Sequence, residues 1–199
     1  MGKHETGYAR VARDFYSTPS WVTNALVELV NVRNKRTWEC ASGAGDMSEP
    51  LGAAGARVFS SDIIDRGYPA FDLLYDFTSP PDPAMQSWDG IITNPPFGPR
   101  GKLAEAFIES GLRRIGEGFL ALLLPADFDS AKTRMHLFGG CARFAGKLVL
   151  TRRVKWFEHP TNPCMQPKEN SAWYLWGNVE FRRLGAPAPV IHYAPRMAA

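Results

Sequence analysis

Histidine and cysteine are scarce in this 199-residue chain, with four of the first and three of the second. Cys40, Cys141 and Cys164 lie far apart and are odd in number, which excludes a disulfide framework, and their spacing fits no zinc site. No metal is expected, and a reducing cytoplasm is the compartment this cysteine usage implies. No apolar run approaches the ~18 residues of a membrane span, so the sequence predicts a soluble protein with no membrane partner. The opening residues MGKHETGYAR lack the apolar centre of a secretory signal. Internal repeats and low-complexity tracts are also absent.

What is present suits one α/β domain. Hydrophobic residues make up 45% of the chain, enough for a substantial core. Residues 17–30 read as a helix that Ser17 or Thr18 can cap, with Pro19 in its first turn. Trp21, Val22, Ala25, Leu26, Leu29 and Val30 then form one apolar stripe. Strands are predicted at 36–40, 56–62, 88–93, 118–125, 147–157 and 171–179. Helices are predicted over 46–55 and 102–114, and a further one over 129–138. Strands alternating with helices imply a mostly parallel sheet covered on both faces. Two late strands with no helix between them imply an antiparallel hairpin at one edge.

Charge is unevenly spread. Residues 1–99 carry 8 Lys/Arg against 12 Asp/Glu, a balance of −4, and residues 100–199 carry 15 against 8, a balance of +7. A basic second half fits either a polyanionic partner or an ordinary solvated surface.

Three polar features end strands and should converge where sheets of this kind bind ligands. In ECASGAGD (39–46), Gly43 and Gly45 allow a tight turn that approaches a ligand closely. The third glycine of a dinucleotide fingerprint and the Lys-Ser/Thr of a phosphate loop are both missing. Asp62 lies 19 residues past Gly43 at the end of the next strand, near the offset at which an acid can bond a ribose diol. Asp76 can accept from an adenine amine while Phe77 packs on the ring; Asp72 is a rival for that role. The third feature is Asn94-Pro95-Pro96-Phe97, where two prolines halt sheet pairing just past Asn94. The Asn94 side-chain oxygen and the Pro95 carbonyl can hold both N–H bonds of an adenine amine. The prolines stiffen the turn and so preorganise both acceptors. Phe97 offers an apolar face on which an extruded base can stack, worth ~1–3 kcal/mol.

With these motifs the chain resembles the S-adenosylmethionine-dependent amino-methyltransferases, in particular the small bacterial and phage-type N6-adenine DNA methyltransferases. DFYSTPSW (14–21), TWECASGAGDM (37–47), SSDIIDRGY (60–68), YDF (75–77) and TNPPFG (93–98) carry the resemblance, together with LLLPADF, Arg134 and the late strands. It implies a Rossmann-like class I methyltransferase fold and S-adenosyl-L-methionine as cofactor. The residues it implies for cofactor binding are Phe15, Thr18, Pro19, Glu39, Ala41, Gly43, Gly45, Asp46, Asp62, Ile63, Asp76, Phe77 and Asn94. Catalysis would rest on Asn94, Pro95, Pro96 and Phe97, and the substrate would be adenine in DNA. Glu39 stands where the family often has aspartate. The alternatives are an RNA adenine or protein-glutamine methyltransferase, or a catalytically silent nucleic-acid-binding relative.

Larger members carry a separate target-recognition domain, for which 199 residues leave no room. A single methyltransferase domain is expected, its sequence choice made by its own loops or by a partner. The best candidate DNA-binding surface is 152–159, where Arg152, Arg153, Lys155 and Trp156, with Phe157 and His159, interleave charge and aromatics as phosphate contacts and base stacking require.

Overall fold

In the computed structural model, which describes residues 16–85, 87–156, 167 and 169–182, seven strands form one sheet. They are β1 (Arg36–Glu39), β2 (Arg57–Asp62), β3 (Leu73–Leu74), β4 (Gly90–Thr93), β5 (Phe119–Pro125), β6 (Phe144–Val149) and β7 (Ser171–Gly177). Their spatial order is β3-β2-β1-β4-β5-β7-β6. The first five run parallel, and β7 pairs antiparallel with both β5 and β6. The expected antiparallel edge hairpin is there, with its later strand on the inner side.

β5 shows why the sheet must be covered twice. Leu120, Leu122 and Leu124 face one core with Trp38, Ile91 and Ile108. Phe119, Ala121 and Leu123 face the other, with Val22, Leu26, Leu51 and Ile92. Side chains alternate across a strand, so a run apolar at every position needs an apolar layer on each side. Helices α1 (Ser20–Leu29) and α2 (Ser48–Ala53) cover the second face, and α3 (Lys102–Arg114) covers the first.

Four sequence expectations shift. Pro19, not Ser17 or Thr18, is the N-cap of α1; its carbonyl accepts from Val22 N at 2.9 Å. The Thr18 hydroxyl is engaged elsewhere, by Asn94. The expected helix over 129–138 is two tight 3-10 pieces, Phe128–Ser130 and Lys132–Leu137. The strand expected over 147–157 begins earlier, at Phe144, and stops at Val149. Leu150 and Val154 leave the sheet because they bury against the α1 side of the core. The two-residue strand β3 was not anticipated: both its leucines are exposed, so no alternation marks it.

Candidate active site

The parallel strands β1, β2 and β4 end on the same side, and the chain order reverses between β1 and β4. A crevice opens at such a point because the connections leave in opposite directions. Here it is a cavity of about 240 Å³, lined by the ends of those strands, the residues before α1, the 75–78 segment and the first half of α3.

The glycine turn after β1 is fixed by backbone geometry. Gly43 and Gly45 have φ of 56° and 89°, a region that favours glycine. A side chain at Gly45 would also meet the Tyr68 ring at 2.3 Å. Gly45 therefore yields space to Tyr68, while Gly43 lines the cavity and Gly45 does not. Asp62, at the end of β2, is buried and accepts from Gly43 N at 3.0 Å and Ile64 N at 3.1 Å. It thereby ties the two strand ends together. Each carboxylate oxygen has a further lone pair for a ligand hydroxyl.

Glu39 is the least ordinary carboxyl in the site. It is 1% exposed. Its Oε1 accepts from Ala41 N at 3.0 Å and Thr93 Oγ1 at 2.5 Å, and its Oε2 is buried without a partner. Burial pushes its pKa up to about 8, against the lowering effect of those two hydrogen bonds and with a smaller push from Asp62. Burial, and then the charge of Glu39, likewise raise the neighbouring Cys40 thiol well above its usual range. An arriving cation is the natural partner for Glu39 Oε2.

At the tip of β4, Asn94 is half-buried and its Nδ2 donates to Thr18 Oγ1 at 3.1 Å. That bond fixes which end of the carboxamide is the nitrogen and leaves the Oδ1 end to accept. Pro95 is buried and Pro96 lines the cavity. Phe97 does not line it: the ring is half-buried against the aromatic core, and its carbonyl accepts from Leu103 N and Ala104 N at the start of α3. The following turn is braced by Arg134, which donates to Arg100 O at 2.7 Å, Phe128 O at 3.1 Å and Glu105 Oε1 at 2.9 Å. Burial raises the Glu105 carboxyl, but Lys102 and Arg134 together hold it below its usual value. It is thus a carboxylate at neutral pH, and the brace is an ionic one.

Of the residues named from the sequence for cofactor binding, Thr18, Glu39, Ala41, Asp46, Ile63, Asp76 and Phe77 also line the cavity. Pro19, Gly45, Pro95 and Phe97 are not part of the lining, and Phe15 lies outside the described residues. Asp72, the rival to Asp76, is placed differently. It is absent from the lining, and its carboxylate accepts from Ser60 N at 2.7 Å. Leu103 and Phe107, which line the cavity from α3, were assigned no role from the sequence. Their i, i+4 spacing reads as core, and their only distinguishing signal is their place just after the Asn-Pro-Pro-Phe turn.

The basic segment sits beside the cavity. Trp156 packs against Tyr16, ring centroids 6.1 Å apart, and Tyr16 is a lining residue. Arg152 and Arg153 are exposed; the first lies 5.0 Å over the Trp21 ring, and the second donates to Asn170 Oδ1 and Pro167 O, both at 3.0 Å. Lys155 is exposed as well. Phe157 and His159 lie outside the described residues. Among the described residues no cluster of three or more His, Cys, Asp or Glu could hold a metal ion, and no helix is long and apolar enough to cross a membrane.

No family model and no curated protein matches the chain. Solved structures do. A Pyrococcus horikoshii protein provisionally named an RNA methyltransferase superimposes with a TM-score of 0.61 at 15% identity, covering 87% of this chain and 92% of that one. The modification subunit of a provisionally assigned type I restriction enzyme from Vibrio vulnificus gives 0.58 at 16% identity, covering 81% of this chain and 44% of that one. The 23S rRNA methyltransferase ErmE gives 0.53 at 16% identity, covering 84% and 70%. The strand order and these superpositions together give this chain the Rossmann-like fold of the class I methyltransferases.

Proposed function

We propose that this chain is an S-adenosylmethionine-dependent methyltransferase that modifies the N6 amine of adenine in DNA, working as a single methyltransferase domain. One observation carries the reading: Asn94, whose side-chain oxygen accepts no hydrogen bond among the described residues, lines the same cavity as Asp62 and the glycine turn.

The donor set fits the cofactor. Glu39 Oε2 and Ser42 Oγ are buried, unpartnered and in the lining, Asp62 can accept from a diol, and Ile63, though it lines the cavity, is 61% exposed and offers an apolar face. Glu39 would hold the ammonium end, Asp62 the ribose, and Asp76 with Phe77 the adenine. When bound, the cofactor supplies an electrophilic methyl group. The adenine amine is a weak nucleophile because its lone pair is delocalised into the ring. Asn94 Oδ1 and the Pro95 carbonyl accept its two N–H bonds and draw the nitrogen toward tetrahedral geometry, so no strong base is needed. Among the described residues no hydrogen bond is made to the Pro95 carbonyl, which leaves it able to accept. The two prolines and the Arg134 brace hold these acceptors in place before the base arrives. A base must leave a duplex stack to reach this cavity. Target choice falls to the chain's own loops, with 152–156 beside the cavity, or to a partner.

The second reading is adenine in RNA, favoured by the two neighbours named for RNA. Nucleoside mass spectrometry of DNA and of RNA from an otherwise methylation-free expressing host separates the two. N6-methyladenine in DNA that disappears with Asn94→Ala is the expected result. Its appearance only in RNA would transfer the assignment, and its absence from both would overturn it.

A further inference from the structure

Arg114, the last residue of α3, is completely buried, and among the described residues no carboxylate pairs with it. Its Nη1 donates to Ser110 O at 3.2 Å, and its Nη2 to Tyr75 Oη at 3.2 Å and Ser79 O at 2.8 Å. Nε is buried with no acceptor. The guanidinium carbon lies 5.0 Å from the Phe77 ring centroid and 6.0 Å from that of Tyr75. Removing a cation from water without a counter-ion costs on the order of several kcal/mol, which neutral acceptors and ring faces offset only in part. A role in shaping the neighbouring site accounts for keeping an arginine there.

Apart from Ser110 in its own helix, every hydrogen-bond acceptor and ring that the Arg114 side chain meets among the described residues belongs to one stretch, Tyr75–Ser79. That stretch follows the last sheet pair of β3 and precedes β4, so no ladder holds it. Tyr75 N bonds to Asp62 O at 2.9 Å; beyond that, Asp76 accepts from Thr78 within its own turn. Yet Tyr75, Asp76, Phe77 and Thr78 all line the cavity. Arg114 does not line it and reaches the stretch from behind. Between the two ends of α3, Phe107 packs 5.1 Å from Phe77 and also lines the cavity. The helix that starts at the Asn-Pro-Pro-Phe turn therefore ends by gripping the opposite wall.

We propose that Arg114 is a positioning residue that, through Tyr75 and Phe77, holds the 75–79 wall in the shape that receives the purine of the cofactor. This rests on the reading of the cavity as an adenosyl site. The guanidinium acts as a fork: one arm fixes the tyrosine hydroxyl and the Ser79 carbonyl, while its central carbon lies 5.0 Å from the Phe77 ring centroid. Lysine keeps the charge and loses the fork.

Calorimetry with S-adenosylhomocysteine as the probe tests this. Arg114→Met is expected to weaken binding roughly ten-fold or more, Arg114→Lys to recover part of that loss, and Tyr75→Phe to cost a smaller factor. The double variant Tyr75→Phe/Arg114→Met should bind no more weakly than Arg114→Met alone, because both changes remove the same link. A second readout is spectroscopic. Burial raises the Tyr75 phenol, and hydrogen bonds with Ser79 and Arg114, plus the guanidinium charge, more than reverse this. The Tyr75 ultraviolet titration, obtained by difference from Tyr75→Phe, should move upward in Arg114→Met. If Arg114→Met does not fold, Arg114→Lys and Tyr75→Phe carry the same binding test. Unchanged probe affinity in these variants, or losses that simply add in the double variant, would overturn the role of Arg114 while leaving the cavity's cofactor in place. No binding by the parent protein would overturn the cofactor reading itself, and the positioning role with it.

Discussion

The Asn94 side-chain amide donates to the Thr18 hydroxyl at 3.1 Å, joining the tip of β4 to the residue before the α1 cap across 76 positions. The bond decides which end of the carboxamide remains to accept from a substrate. Thr18→Val keeps the shape and removes the partner. Methyl transfer should fall about ten-fold, one hydrogen bond or ~1.4 kcal/mol in the barrier, whereas Asn94→Ala should abolish it. Initial rates at saturating cofactor check this. A parent-like rate in Thr18→Val would mean the amide is oriented by something else. More than about a tenth of the parent rate in Asn94→Ala would defeat the amine-holding mechanism.

Asp62 has two tasks, bracing Gly43 and Ile64 and facing the cavity. Asp62→Ala should therefore weaken S-adenosylmethionine binding by about 1–3 kcal/mol and lower the thermal midpoint as well. Asp62→Asn keeps an acceptor for one of the two backbone N–H groups and should restore part of the stability but little of the affinity. Calorimetry and thermal melts separate the two effects. Equal affinity in all three proteins would remove Asp62 from the site.

Glu39 makes stability depend on pH in a definite direction. Its pKa rises from 4.5 to about 8 on folding, so between those values the folded chain binds more protons at this group than the unfolded chain. Stability from this group is fully present below about pH 4.5 and declines as pH rises toward about 8, then levels. Glu39→Gln should flatten that limb and melt higher than the parent at pH 9. Because a bound ammonium favours the carboxylate, cofactor binding near pH 7 should also release a proton. Calorimetry in buffers of different ionisation enthalpy measures it; no release by the parent would mean the cation does not reach Glu39.

Arg152, Arg153 and Lys155 are exposed beside the cavity. Replacing all three with alanine should weaken duplex binding at low salt and reduce the slope of log affinity against log salt by up to about 3 units. Cofactor affinity should hold. Fluorescence anisotropy from low to moderate salt gives both slopes, and parallel lines would make this segment a solvated surface without a phosphate contact.

Local backbone chemistry was legible from the sequence. Gly43 and Gly45 mark a turn because only glycine accepts their φ at no cost, and Pro95 and Pro96 end β4 because they cannot donate to a ladder. The unbroken apolar run of β5 and the stripe of α3 set the layers. Those signals bring Glu39, Asp62 and Asn94 to strand ends, where topology makes them neighbours. Other features depend on contacts between segments far apart in the chain. Phe97, which looks free to stack, turns into the aromatic core because α3 starts on its carbonyl. The run 150–156 looks like strand, but Leu150 and Val154 find more to bury against α1 than the sheet edge offers. Gly45 serves Tyr68, 23 residues on, and Arg114 serves Tyr75, 39 residues back. The sequence marks Glu39 as a candidate ligand but not its ionisation: the layers close over it, and the loss of water then moves its proton equilibrium. Dihedral preference and periodicity belong to a residue and its near neighbours, whereas burial, pairing and ionisation belong to whatever folding packs against it.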